Sequence, residues 1–433
     1  MRKSLKMKKN KLISGKWILK GGKVYDPYKD KFLKGDILLN NGKIEKIGSV
    51  KEKDINLIDC SNKIIAPGFT DIRSHFKQPG SGYVETLESG INAAMAGGYT
   101  TVCLMSDKDN PLDTPEAIKN ISKINNKINI LPIGSASVRH DGVELCEYGC
   151  MVKEGAVAFS DTTSTIKNSQ FLKYALEYSG MYDAPLISFS RDSGLSEGGV
   201  VNEGLISTKL GLQGIPDISE SIVVSRDLMI AELAGKGIHI PLVSTSKSID
   251  IIKEYQDKGV MVTADVSPHH IFFNDDKILN YNSNAKVYPP LRSEKNREAL
   301  IAAIKNNVIT SISSDHTPCS SEDKEKDIVH ASFGTISLES AFSLAYTVLA
   351  QEGFSITEVI KLFTKGPREA LALCENPIDV GSDADFVIID SKKRWTFDDS
   401  DIYSKSKNSI ALGIELTGKV DLTIYKKNAF GLI

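Results

Sequence analysis

Two short segments concentrate side chains able to do chemistry. APGFTDIRSHFKQPG, residues 66–80, brings Asp71, Arg73, His75 and Lys77 close together, and SSDHTP, residues 313–318, pairs Asp315 with His316. Imidazole nitrogen and carboxylate oxygen are the atoms that suit zinc. Elsewhere His269 and His270 are adjacent and cannot both aim at one point, so at least one is structural. His140, His239 and His330 fit hydrogen-bonded structural roles. No matched base accompanies Cys319, which reads as an idle thiol rather than a nucleophile. Lys77 and Arg292 are candidates to hold an anionic ligand, although Arg292, within YPPLRS, is equally able to brace its own loop.

What must position these groups is legible from the apolar runs. Eight occur in order: 64–69, 100–105, 128–136, 155–160, 185–190, 237–244, 260–266 and 309–314. Helix candidates lie between them, among them 85–96, 114–126, 168–182 and 219–234, the last two opening at Asn or Ser caps and the last stopping at Gly235. Eight strands alternating with helices over about 300 residues predict a closed (β/α)8 TIM barrel, whose reactive groups sit at the C-terminal ends of strands. Both segments named above fall at such ends. The chain's two ends read differently, as short β runs and turns: 17–62, with an Asn41-Gly42 hairpin signal, and 381 onward, with a final strand over 419–425 and a helical stretch, 356–374, before it. The expected fold is α/β, a barrel over 63–375 with a small discontinuous β-rich domain from 13–62 and 376–433, preceded by a basic solvated tail over 1–12.

Composition narrows the function. Lys plus Arg number 53 against 55 for Asp plus Glu, so no global field exists for nucleic acid or an anionic membrane. Six cysteines are too sparse for a disulfide framework, and the basic start lacks the apolar core of a signal peptide. With no GxGxxG or Walker A sequence, nothing favours a nucleotide fold. A cytoplasmic protein with no membrane and no nucleic-acid partner is expected.

From about Trp17 to Tyr425 the chain resembles the dihydroorotases of the amidohydrolase superfamily. The resemblance rests on the Pro-Gly before Asp71, His75 with Pro79-Gly80, AGGYTTVCLM, NEGLISTKLGLQGIPDISES, TADVSPHH, YPPLRS, SSDHTP, ASFGT and GSDADFVIID taken together. It implies an amidohydrolase-type barrel and a binuclear metal centre that interconverts carbamoyl-aspartate and dihydroorotate. The implied ligands are an HxH after strand 1, a carboxylate or carboxylated Lys after strand 4, one His each after strands 5 and 6, and an Asp after strand 8.

This sequence departs from that pattern at the metal. The HxH is Arg73-Ser74-His75, and Phe189 and Leu242 stand where the strand 5 and strand 6 histidines are implied. His75 and Asp315 clearly remain, with Asp161 the carboxylate after strand 4. Substrate contacts differ too: Lys77 for Arg, Asp107 and Tyr288 for Asn, and Cys319 for His. Zinc lowers the pKa of bound water from about 15.7 to about 7, worth about 12 kcal/mol of ionisation, whereas a positioned proton transfer supplies only about 10²- to 10⁴-fold. Without a metal, amide hydrolysis is expected to be essentially absent.

The expectation is therefore a degraded site: His75 and Asp315 as a remnant, Arg73 filling the metal's space and satisfying Asp315, Phe189 and Leu242 packing the vacated mouth. No resident cofactor is expected, zinc being the ion if a residual mononuclear site at His75 and Asp315 persists, with His316 or Asp161 as a further ligand. The chain resembles most the non-catalytic bacterial relatives that assemble with aspartate carbamoyltransferase, which implies a scaffold role in an oligomer. The alternative is an active dihydroorotase or related cyclic amidase with an altered mononuclear site, in which Asp315 is catalytic. A third reading is a sensor of a small anionic pyrimidine precursor, held by Arg73 and Lys77.

Overall fold

A computed structural model describes residues 9–51, 55–78, 80–124 and 127–431. Eight parallel strands run in the sheet order 1 to 8: Phe69–Ser74, Tyr99–Leu104, Asn129–Gly134, Ala158–Phe159, Leu186–Ile187, Ile238–Ile240, Val262–Val266 and Ser311–Ile312. The cylinder closes where Ser74 bridges His316, with the His75 N–H donating to the His316 carbonyl at 2.9 Å. Asp71 ties that seam. Its carboxylate accepts the Ser314 backbone N–H at 2.7 Å, the Ser314 hydroxyl at 2.7 Å and the Ser74 hydroxyl.

Seven of the eight expected runs hold a barrel strand, but the first is displaced. Ile64–Ala66 pairs with residues 387–389 of the small domain, and barrel strand 1 begins only at Phe69. The cause is local: Pro67 and Gly68 separate two apolar runs that read as one. Gly68 is required there because a Cβ would collide with the Thr100 hydroxyl and the Asp385 carboxylate, which accepts the Gly68 N–H at 3.1 Å.

Helices ring the barrel with capped ends. Leu87–Gly97 starts at Thr86, Pro115–Ser122 at Thr114, and Ser169–Ser179 at Asn168, whose side chain accepts the N–H groups of Gln170 and Phe171. Ile218–Ala234 stops at the left-handed Gly235 as expected, but Asp217 rather than Ser219 precedes it. The stretch after strand 8 divides into Ile356–Phe363 and Lys365–Ala370. Arg368 of the latter reaches the barrel floor, donating to the Thr70 hydroxyl at 3.1 Å. Above it Ile72, Cys103, Ile133, Ala158 and Ile187 fill the barrel, so the interior is a core and not a pore.

Both chain ends build the small domain. A seven-stranded sheet takes Lys9–Leu12, Lys23–Asp26, Lys31–Leu33 and Ile64–Ala66 from one end and Asp385–Thr396, Glu415–Tyr425 and Asn428–Gly431 from the other. A four-stranded sheet packs on it, using Lys16–Lys20, Asp36–Asn40, Lys43–Gly48 and Asn56–Asp59. The core between them joins Trp17, Leu19, Ile37 and Leu39 to Phe386, Ile388, Leu422 and Ile424. Asn41 and Gly42, at φ 51° and 82°, form the expected hairpin turn. The sheets are mixed rather than purely antiparallel, since Lys16–Lys20 runs parallel to Asn56–Asp59. The basic tail expected over 1–12 falls mainly outside the described residues, and Lys9–Leu12 pairs antiparallel with residues 428–431. No helix among the described residues is long and apolar enough to cross a membrane.

Candidate functional site at the barrel mouth

Arg73 ends strand 1 and is buried, and it organises the mouth. Its Nε donates to Asp315 Oδ1 at 3.0 Å across the strand 1–strand 8 seam. Nη1 donates to the Thr162 hydroxyl after strand 4. The guanidinium carbon lies 5.3 Å from the centre of the Phe189 ring after strand 5, a cation–π contact. One fixed cation thus spans the axis of the barrel. Burial pushes the Asp315 carboxyl up to about 6 even against the pull of Arg73, so it is ionised at neutral pH and paired.

The other implied ligand positions make no metal cage. Leu242 is fully buried and in a left-handed backbone conformation, φ 52°, held by its N–H donating to Asp265 Oδ1 at 2.9 Å. Asp315 shares that conformation, also at φ 52°. These strained bends persist although Leu242 has no donor atom to aim. Asp161 does not join His75 and Asp315: its carboxylate accepts the N–H groups of Ala136 at 2.9 Å and Ser137 at 2.8 Å, plus the Ser137 hydroxyl at 2.5 Å. The expectation of Asp161 as a ligand is therefore corrected; it locks the loop after strand 3. His316 is also turned away, its Nδ1 accepting the Ser337 N–H at 3.2 Å and its Nε2 standing 3.6 Å from Glu85.

His75 does face the mouth, and its Nε2 has no hydrogen-bond partner. Burial, with the Arg73 and Lys77 charges beside it, holds its ring well below the usual histidine range, so it is neutral. His269 Nε2 lies 3.7 Å from Asp315 Oδ2, beyond hydrogen-bonding reach, and burial keeps this ring neutral too. Its neighbour His270 is structural, bonded to the Ser267 hydroxyl at 2.6 Å and the Pro289 carbonyl at 3.0 Å. Among the described residues no three His, Cys, Asp or Glu side chains converge on one point. With a guanidinium in the first ligand position and Asp315 committed to it, the donor set does not fit a binuclear centre.

A cavity of about 250 Å³ opens above Arg73, lined by His75, Lys77, Asp107, Arg191, Tyr288 and Phe333 among others. Lys77, Asp107 and Tyr288, read in the sequence as substrate contacts, all line this cavity, and the first two neutralise each other at 2.6 Å. Burial opposes ionisation of Asp107, yet the Lys77 ammonium outweighs it and holds the carboxyl below its usual range. Arg292 does not line this cavity. It is buried and saturated, donating to Ser244 Oγ at 3.1 Å, Asn202 Oδ1 at 3.0 Å and the Ile215 carbonyl at 2.8 Å, with Asp217 at 3.1 Å. As a ligand-binding residue it is corrected to a loop brace. Burial raises the Cys319 thiol, consistent with an idle group.

Arg191 was not foreseen. It stacks 4.5 Å from the Tyr288 ring, donates to the Ser196 hydroxyl at 3.0 Å and has no carboxylate partner among the described residues. Its signal was available, since it stands two residues beyond Phe189 at the end of strand 5.

Comparison with known proteins agrees with this architecture. Residues 220–426 match the amidohydrolase family model. L-hydantoinase (dihydropyrimidinase) from Arthrobacter aurescens superposes with a TM-score of 0.83 over 96% of each chain at 21% identity, and dihydropyrimidinase from Brevibacillus agri with 0.80 over 95% of this chain and 94% of that one at 19%. Fold and mouth together define an amidohydrolase-type barrel. Residues 62–248 match the model described as dihydro-orotase-like. The dihydroorotase of Caldicellulosiruptor saccharolyticus is 40% identical over 94% of this chain and 96% of its own, and that of Syntrophus aciditrophicus 36% over 94% and 97%. The chain belongs to the dihydroorotase family.

Proposed function

We propose that this dihydroorotase-like protein of pyrimidine biosynthesis has lost amide hydrolysis and acts in the cytoplasm as a scaffold partner of aspartate carbamoyltransferase. The observation that carries the loss of chemistry is the buried Arg73–Asp315 pair at 3.0 Å. A guanidinium supplies charge but no Lewis acidity, and it cannot make hydroxide at neutral pH. The carboxylate that would take a proton is bound to that cation, and His75, the remaining imidazole, is neutral without a carboxylate to orient it. The partner rests on the resemblance alone. The cavity walls, with Arg191 over Tyr288, support retention of a small anionic ligand.

The test is turnover of carbamoyl-aspartate and dihydroorotate, in both directions, by purified protein supplied with zinc, with metal content measured on the same sample. No turnover and no stoichiometric zinc is expected. Sedimentation with aspartate carbamoyltransferase is expected to give one co-migrating species, and two independent boundaries at micromolar concentration would remove the scaffold role. A second reading, an active cyclic amidase with a mononuclear site at His75 and Asp315, is favoured by the unpartnered Nε2 of His75 and by relatives named dihydroorotase. Metal-dependent turnover at ordinary enzymatic rates would establish it instead.

A further inference from the structure

The segment 320–335, SSEDKEKDIVHASFGT, follows strand 8 and carries six charged side chains in a row, from Glu322 to Asp327. Such a run belongs in water, yet Lys324 turns inward and is 7% exposed. Lys286, on the facing segment 283–286 after strand 7, is 2% exposed. Neither ammonium has a carboxylate partner among the described residues, and every hydrogen bond either one makes ends on a backbone carbonyl. Lys324 Nζ donates to the carbonyls of Ser283 at 2.8 Å, Ser332 at 2.8 Å and Lys286 at 3.4 Å. Lys286 Nζ donates to those of Ala331 at 2.7 Å and Val329 at 2.9 Å. Each lysine thus reaches across and stitches the two segments together. The Gly334 N–H on the Lys286 carbonyl at 2.9 Å and the Ser283 hydroxyl on the Lys324 carbonyl at 2.6 Å complete the seam.

What is stitched down is a wall of the barrel mouth. Phe333 lines the cavity above Arg73 and also a second cavity of about 270 Å³, bounded by Tyr83, Cys319 and Asp323 among others. Its ring packs edge-on to Tyr288 at 5.4 Å, and Lys286 Nζ stands 4.5 Å from its centre. Of the segment's apolar side chains only Ile328 and Ala331 are buried, so polar contacts carry much of its attachment.

An ammonium among carbonyls keeps its hydrogen bonds but loses its hydration, and no opposite charge repays that loss. Burial therefore pulls Lys324 from 10.5 down to about 8, against the Cys319 thiol and with the Lys286 ammonium pushing the same way. Burial lowers Lys286 too, against the pull of Asp327, and it raises the Cys319 thiol, which is neutral at neutral pH. Asp323 is engaged elsewhere, its carboxylate bound to the Ser320 hydroxyl at 2.8 Å and to Lys326 at 2.8 Å. Lifting the segment returns Lys324 to water and to the ordinary lysine range, so the lifted form holds its proton more tightly than the closed one. Charge on Lys324 consequently works against closure, and closure strengthens as pH rises through about 8 toward 10.5. We propose that segment 320–335 is a strap over the barrel mouth, held weakly shut while the buried Lys324 ammonium is charged and drawn tight when that group gives up its proton. The strap governs access to the mouth, whether or not chemistry persists there.

Hydrogen exchange of the full chain tests it, read as protection factors so that the intrinsic effect of pH is divided out. Between pH 7 and 9 the protection of 320–335 is expected to rise about tenfold, the ratio that a fall from 10.5 to about 8 gives over that window, while helix Ala341–Gln351 stays level. Lys324→Gln keeps an N–H donor without the charge and is expected to show equal protection at both pH values. Lys326→Gln, an exposed control on the same segment, is expected to keep the parent's rise. Protection of 320–335 that is flat or falls between pH 7 and 9 in the parent chain would overturn the proposal without recourse to any variant. So would a Lys324→Gln chain, shown to be folded by the level protection of 341–351, that retains the rise.

Discussion

Arg73 illustrates how one buried side chain sets the contacts of a barrel mouth, reaching Asp315, Thr162 and Phe189 at once. Removing one partner of a buried ion pair leaves an uncompensated charge, so Arg73→Met is expected to lose about 3 kcal/mol in urea unfolding, and adding Asp315→Asn to recover most of it. Should the single variant be as stable as the parent, the pair does not hold the mouth together. A second residue-scale outcome concerns acid. Burial lowers His270 from 6.5 to about 4, so between those pH values the unfolded chain binds a proton here that the folded chain does not. Stability must therefore fall as pH drops through that window, by at most about 3 kcal/mol from this site. His270→Gln is expected to flatten the slope between pH 6.5 and 4 in a pH series of urea midpoints. Arg73 was legible in sequence as a cation at a strand end. The saturation of Arg292 was not, because its acceptors come from residues 202, 215, 217 and 244, distant in the chain.

At the scale of elements, the strand ends decide what each carboxylate can do. Asp161 follows strand 4, the expected place for a bridging ligand, yet two backbone N–H groups and a hydroxyl of the strand 3 loop claim it. Asp161→Ala leaves those donors buried and unpaired, so a loss of about 3 kcal/mol is expected. Zinc content should not change, and bound zinc that disappeared with this variant would restore Asp161 as a ligand. The displaced first strand teaches a related lesson. Periodicity finds apolar runs, but Ile64–Ala66 and Phe69–Ser74 are both fully buried and contiguous, and only pairing assigns one to the small sheet and the other to the barrel. Caps carried stronger information: Asn168 and Gly235 mark helix ends through backbone chemistry that acts over a few residues.

The whole molecule is stapled by its own termini. Glu415–Tyr425 is central to the seven-stranded sheet, and the Thr423 hydroxyl donates to the Met95 carbonyl at 2.6 Å, tying sheet to barrel. Deleting residues 415–433 would uncover Phe386 and Ile388, each buried side chain worth about 1.5–3 kcal/mol. The truncated chain is expected to be insoluble or to lose its cooperative melting transition in calorimetry. A soluble product with the parent's transition would mean that the barrel stands without the small domain.

Residue order alone determined the alternation of apolar runs and helices, the eight-strand count, the β character of both ends and the absence of histidine at positions 73, 189 and 242, because each depends on residue type and local period. Tertiary structure alone decided the partners. Arg292 meets Asn202, Ile215 and Ser244, Asp161 turns to Ser137 rather than to His75, and Arg191 comes to lie over Tyr288. A side chain's role at a strand end depends on which buried donor or acceptor reaches it first, and only closure of the barrel brings those groups within hydrogen-bonding distance.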